Sequence, residues 1–221
     1  MSSIDIPQGS DEWKLARVGR VTASRVADVV AKAKSGGVLA SRSNYLAELL
    51  VERLTGIPTE GFMNAAMQWG VDQEGPARIT YELLQDCTVQ TVGFVPHPMI
   101  EMAGASPDGL IGEDGQIEIK CPNSATHLET LRTGTIAGKY ITQMQFQMAC
   151  TGRAWCDWMS FDPRMPPALR LFVLRVERND EIIDTLESAV IDFIAELDAT
   201  IADLGKRYGA VPADAARIAA E

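Results

Sequence analysis

The sequence predicts an α/β fold: a small mixed β-sheet flanked by helices, with a helical N-terminal part and one long C-terminal helix. Three observations carry this. Helix-compatible stretches with capping and stop signals fill the region from about Thr22 to Leu84. Short runs bounded by Gly, Asp and Pro then take over from Cys87 to Lys120, the mark of strands and turns. Finally, Ile183, Leu186, Val190, Phe193, Leu197, Ile201 and Leu204 recur every three or four positions, one apolar stripe on a long helix.

In chain order, Thr22 or Ser24 is placed to cap a helix running to about Lys34, closed by the Ser35-Gly36-Gly37 loop. A second helix fits 44–54 and stops at Gly56-Ile57-Pro58. A third fits 65–84, interrupted at Gly75-Pro76, where it is either kinked or replaced by a new helix with Pro76 in its first turn, because proline lacks an N–H and disfavours helical geometry before it. After the strands of 87–120, helices are expected near 125–133 and 140–150, and strands near 155–162 and 169–177. The last helix spans about 181–208, and its stripe reads as core-facing rather than as a partner seam. The whole of 1–221 is expected to form one domain, with a loosely ordered tail from about 209 to 221.

Composition narrows the class. Apolar content of 46% and charged content of 23% are ordinary for a globular protein. No run of 18 apolar residues exists, and the N-terminus lacks a basic start and an apolar core, so a cytoplasmic protein with no membrane partner is expected. Cys87, Cys121, Cys150 and Cys156 contain no C-x-x-C and are joined by only His97 and His127, which disfavours zinc. Reduced, partly buried thiols are the simpler expectation, with an iron–sulfur cluster the remote one. A net charge of −10 argues at first against a nucleic-acid partner. Yet residues 177–221 hold eleven acids against four bases, whereas residues 1–50 hold seven bases against five acids. An acidic exterior can coexist with a basic cleft.

The chemistry concentrates in Ser106-Pro107-Asp108-Gly109 and Gln116-Ile117-Glu118-Ile119-Lys120. The second segment alternates with period 2, placing Ile117 and Ile119 on one face and Glu118 and Lys120 on the other. Residues at i and i+2 on a strand stand roughly 6.6 Å apart. A carboxylate can therefore hold a divalent cation while the neighbouring ammonium reaches a water or a phosphate. With Asp108 beside Glu118, hard oxygen ligands converge, a set suited to Mg²⁺ and to phosphodiester hydrolysis. A plain hairpin with a solvated Glu–Lys couple is the competing reading.

Other residues fit such a site. Gly70, Glu74, Ala77 and Tyr81 share one helix face, whose small residues would carry Glu74 inward against a sheet. Arg17-Val-Gly-Arg-Val-Thr-Ala-Ser24 combines guanidinium groups, hydroxyls and a helix N-terminus, an anion site by composition. Among Gln143, Gln145 and Gln147, one amide is suited to orient a nucleophilic water, with the surface as the default for the other two.

Arg17-x-Gly-x-x-Thr-Ala-Ser24, Trp69-Gly70-x-x-x-Glu74, Ser106-Pro-Asp108-Gly, Glu118-x-Lys120-Cys-Pro122 and Tyr140-x-x-Gln143-x-Gln145 occur in that order, with Asp162-Pro-Arg-Met165 behind them. Together, from about Gln8 to the C-terminal helix, they make the chain resemble the lambda-exonuclease-like, YqaJ-type viral recombinase family of the PD-(D/E)xK nucleases. The resemblance implies a restriction-endonuclease-like core and Mg²⁺-dependent, 5′-to-3′ digestion of one strand of linear duplex DNA to mononucleotides. Two ions are implied, with Mn²⁺ able to substitute. It implies metal ligation by Asp108, Glu118 and the Ile119 carbonyl, with Glu74 at a second position. Lys120 is then the base or charge stabiliser, Gln143 the water-positioning amide, and Arg17, Ser24 and Ser106 the pocket for a 5′-terminal phosphate. A homotrimeric ring, a single-strand annealing recombinase as partner and a phage or prophage origin are further implications. Buried lysine beside metals is expected to shed its proton more readily. Lys34 is a further candidate, for steering the displaced strand. An endonuclease on the same core, or a non-catalytic DNA-end-binding scaffold, are the alternatives.

Overall fold

The computed structural model describes residues 3–32, 39–59, 61 and 63–209. Lys34, the 35–37 loop and the expected tail beyond Gly209 lie outside them. The fold is mixed α/β, as the sequence predicts.

Helix α1 (Asp11–Arg17) is capped by Ser10, whose side chain accepts the Trp13 N–H. Strand β1 (Val21–Thr22) follows, unforeseen because two residues carry no periodicity. The helix expected from 22 to 34 is a 3₁₀ turn, Ala23–Arg25, and a single-turn α2 (Val26–Val29). Thr22 makes no capping bond with its side chain, its backbone being paired in β1 instead. Helices α3 (Ala40–Thr55) and α4 (Ala65–Gln85) come next. No new helix begins at Pro76. Pro76 sits inside one continuous α4, losing a single backbone bond while Ala77 and Tyr81 anchor the helix in the core.

Strands β2 (Val89–Gln90), β3 (Val95–Pro96), β4 (Ala103–Ala105), β5 (Gly109–Ile111) and β6 (Gly115–Lys120) are followed by α5 (Ser124–Thr133) and α6 (Gly138–Thr151). Strands β7 (Trp155–Phe161) and β8 (Leu171–Glu177) lead to α7 (Asp180–Tyr208). The main sheet runs β2-β5-β6-β7-β8, with β6 at its centre, antiparallel to β5 and parallel to β7. A second sheet, β1-β4-β3, pairs β1 parallel to β4.

Ile117 and Ile119 pack with Ala77 and Tyr81 of α4 in one core cluster. On the other face of the sheet, Cys156 and Trp158 pack with Met144 and Met148 of α6. Helix α7 buries Ile183, Leu186, Val190, Phe193 and Leu197 in a third cluster, so its stripe faces the core. Asp184, Asp192, Glu196 and Asp198 stay on its exposed side, where much of the acidic excess lies. None of the helices among the described residues is long and apolar enough to cross a membrane.

Candidate active site

The β5–β6 hairpin builds the centre. Gly109 pairs with Ile117, so the same antiparallel register sets Asp108, one residue earlier, opposite Glu118. Asp108 Oδ2 accepts the Ile119 N–H at 2.6 Å. Glu118, only 1% exposed, takes the Lys120 ammonium and the Gln143 amide (2.7 Å) on Oε1, and the Gln147 amide on Oε2 at 2.7 Å. The N–H and C=O of a strand residue share one side, so the Ile119 carbonyl is directed to the Asp108 side as well. Gln143 Oε1 has no protein partner among the described residues.

Electrostatics tie Glu74 of α4 to the same group. Burial pushes its carboxyl above the ordinary range and Glu118 adds to this, against Arg78 and Lys120. Burial pushes Asp108 well up, with Glu118 adding to the effect, Lys120 opposing and Glu74 contributing. Burial works to lower the Lys120 ammonium, but Glu118 and Asp108 outweigh it and the pKa rises. These carboxyl neighbours oppose the easy proton loss expected of a lysine beside metals. Glu74, Asp108 and Arg78 line a cleft of about 410 Å³ whose wall also includes Gln8, Gln90 and Thr91. Gln8 fixes that wall by donating to the Val92 and Pro107 carbonyls.

A divalent cation fits this chemistry. Three carboxyls and a carbonyl are hard oxygen donors, and Asp108 is repelled by two like neighbours with one lysine in compensation. Among the described residues no three acidic, His or Cys side chains are drawn tightly enough to hold an ion as they stand. Lys120 and the two amides instead occupy the Glu118 oxygens. The cysteines give no iron–sulfur site: Cys121, Cys150 and Cys156 are buried in three different core clusters.

The second group assembles around Trp13. The Arg17 guanidinium stacks 3.9 Å from the Trp13 ring centroid, at i+4 on α1, and Trp13 Nε1 donates to Ser106 Oγ at 3.0 Å. Thr22 pairs with Gly104, so Ser24 and Ser106 each follow two residues past one register pair at the ends of parallel strands. Ser24 Oγ lies 3.4 Å from Thr22 Oγ1. The Arg17 guanidinium has no hydrogen-bond partner among the described residues; burial lowers its pKa, against Tyr45 and Glu52. Its loop is held from α3, where Glu52 accepts the Gly19 N–H and Arg53 donates to the Gly19 carbonyl. Gly19 has φ +67° and its absent side chain leaves room for the Arg53 stem. The helix N-terminus expected at Ser24 is too short to supply a dipole.

Several sequence expectations fail here for definite reasons. Gln145 and Gln147 are not on the surface; both are buried, with every amide paired internally. Their spacing held the signal, since Gln143 and Gln147 are i, i+4 on α6 and both face β6. Gly70 meets nothing where a Cβ would stand, so close packing does not require it. Trp13 and Arg78 were missed, although Trp13–Arg17 is also an i, i+4 pair.

The YqaJ-like viral recombinase domain matches residues 12–154. Among solved structures, LHK-Exo in complex with dAMP is 51% identical, with a TM-score of 0.84 over 90% of this chain and 97% of its own. LHK-Exo, an alkaline exonuclease from Laribacter hongkongensis, is 50% identical over the same shares and at the same TM-score. A phage-related exonuclease from Haemophilus somnus 129PT is alike in fold, with 15% identity and a TM-score of 0.65 over 84% of this chain and 96% of its own. No curated protein matches the chain. With the matched domain spanning well over half of its length and half-identical relatives sharing its architecture, the chain belongs to the YqaJ-like viral recombinase family.

Proposed function

We propose that the protein is a Mg²⁺-dependent exonuclease that degrades one strand of linear duplex DNA from its 5′ end, releasing mononucleotides and leaving a 3′ overhang. The observation that carries this reading is the convergence of Asp108, Glu118 and Lys120 at the C-terminal end of β6, with Gln143 joined to Glu118. The half-identical alkaline exonuclease supports it.

Asp108, Glu118 and the Ile119 carbonyl would hold one ion, and Glu74 would contribute to a second. Such an ion, when bound, activates water and neutralises charge on the leaving oxygen; Mn²⁺ would serve as well. The chain's own groups do the rest. Gln143, its N–H₂ committed to Glu118, keeps a free carbonyl oxygen to accept a proton of the attacking water. Lys120 offers N–H donors to the phosphate as negative charge builds on it. Arg17, flattened on Trp13 and unpaired, would grip the 5′-terminal phosphate with Ser24 and Ser106, fixing the strand end relative to the scissile bond. Water adds to the phosphorus between the first two nucleotides and its bond to the 3′ oxygen of the terminal nucleotide breaks; that oxygen takes up a proton, the terminal nucleotide leaves as a 5′-monophosphate, and the phosphate stays on the 5′ oxygen of the next one.

The same reading has the chain act in the cytoplasm of a phage-carrying bacterium as a homotrimeric ring around DNA, passing the 3′ strand to a single-strand annealing recombinase for homologous recombination. Digestion of end-labelled linear duplex, with and without a 5′ phosphate and with Mg²⁺ or EDTA, tests it. Metal-dependent release of 5′-terminal nucleotides is expected. Cleavage of closed circular DNA, or binding of ends without release, would overturn the reading.

A further inference from the structure

We infer that Gln147 is a positioning residue: it fixes the rotation of the Glu118 carboxyl and so sets how strongly the site takes a divalent cation, an inference that rests on the function proposed above.

Glu118 has two unlike sides. Its Oε1 faces the groups assigned to the reaction, Lys120 and Gln143, whereas its Oε2 faces inward to Gln147. Gln147 is 1% exposed and its own oxygen accepts the Gln116 amide at 3.3 Å. Gln116, wholly buried, in turn has its oxygen taken by the Thr151 hydroxyl at 2.7 Å. The Thr151 oxygen accepts the Arg153 backbone N–H. Donors therefore run one way along the chain: Arg153 to Thr151, to Gln116, to Gln147, to Glu118.

An amide can be turned end for end, and nothing in Gln147 alone decides which end meets Glu118. Glu118 decides it: both its oxygens accept, so Gln147 turns its N–H₂ to Oε2 and keeps its oxygen for the Gln116 N–H₂. The Gln116 oxygen is then left for the Thr151 hydroxyl, which also lies 3.0 Å from the Gln147 backbone carbonyl. Turning Gln147 over would set its oxygen against the Glu118 carboxyl in a dry interior. The spacing is built into the elements: Gln116 and Glu118 are i, i+2 on β6, and Gln143, Gln147 and Thr151 are i, i+4, i+8 on α6. None of the outer three groups reaches the cleft, so they act through Glu118.

Gln147→Leu removes the inner bond at nearly constant volume. Gln145→Leu is the matched control, an equally buried glutamine on the same helix, bonded to the Glu177 carbonyl and the Asn179 N–H instead. Mg²⁺ and Mn²⁺ binding is measured by calorimetry without DNA, beside kcat and KM on end-labelled duplex and the melting temperature. Gln147→Leu should weaken ion binding and lower kcat by about 10–100-fold with KM for DNA unchanged. Gln145→Leu should lower the melting temperature only. Thr151→Val should shift ion affinity the same way by a smaller factor, and decides the matter if Gln147→Leu does not fold. Wild-type ion affinity in both Gln147→Leu and Thr151→Val, or an equal loss in Gln145→Leu, overturns the inference. A wild-type protein that binds no divalent ion overturns it too. One that binds ions but hydrolyses no DNA sinks the proposed activity alone, and the calorimetric comparison still decides the role of Gln147.

Discussion

Asp108 stands opposite Glu118 across the β5–β6 hairpin, and its carboxyl caps the Ile119 N–H of the strand that carries Glu118. One side chain thus serves both the strand end and the cluster proposed to react, so fold and chemistry should be separable by an isosteric change.

Asp108→Asn keeps an oxygen to accept the Ile119 N–H but loses the negative charge. We expect a melting temperature close to wild type and nucleotide release reduced by at least about a hundredfold. Parallel thermal melts and end-label assays check both halves. An active Asp108→Asn protein would remove this carboxyl from the machinery.

Lys120→Met leaves the Glu118 carboxyl, 1% exposed, with only its two glutamine donors. In EDTA it should cost about 1–3 kcal/mol in denaturant midpoint measurements. Adding Glu118→Gln should recover much of that, since the lost partner is then no longer needed. Mg²⁺ should also stabilise Lys120→Met more than wild type, because the ion no longer competes with an ammonium.

Arg17→Ala should reduce digestion of 5′-phosphorylated duplex to the rate seen on unphosphorylated ends, while leaving the latter unchanged. Arg17→Lys should restore little, because an ammonium neither stacks on Trp13 as a plane nor grips phosphate through two parallel donors. Rates on paired substrates with and without the terminal phosphate are the readout.

Asp162 supplies a pH-dependent prediction away from the site. Burial would raise its carboxyl, but hydrogen bonds from Arg164 and Ser124 bring it down to about 2. Arg164 holds it in a two-pronged contact and stacks over Trp69 on α4. A carboxyl lowered on folding adds stability above its unfolded pKa of about 4, and that stability is lost as pH falls through the folded value. The gap in denaturant midpoint between wild type and Asp162→Asn should therefore be constant above about pH 5 and close between pH 4 and 2.

Much of the site was legible because its parts are local. Glu118 and Lys120 alternate on one strand, and Asp108 lies one hairpin away. The long helices were legible through their stripes. What escaped depends on contacts far apart in sequence. β1 exists only because Thr22 meets Gly104, and that pairing shortens the helix expected from 22 to 34. Gln145 and Gln147 look like solvent residues until Glu177, Gln116 and Glu118 supply their partners. Pro76 reads as a break, yet the burial of Ala77 and Tyr81 outweighs one missing bond. The sign of the Lys120 shift needed all its neighbours in space.

The placement of Glu118 and Lys120 on the innermost of five strands constrains how this scaffold can diversify. A replacement of Glu118 meets α6 at Gln143 and Gln147, so the centre proposed to hydrolyse DNA leaves little room for change. Under the proposed activity, variation in which DNA ends are accepted would fall instead around the rim, on α1, Gln8 and the mouth of the cleft.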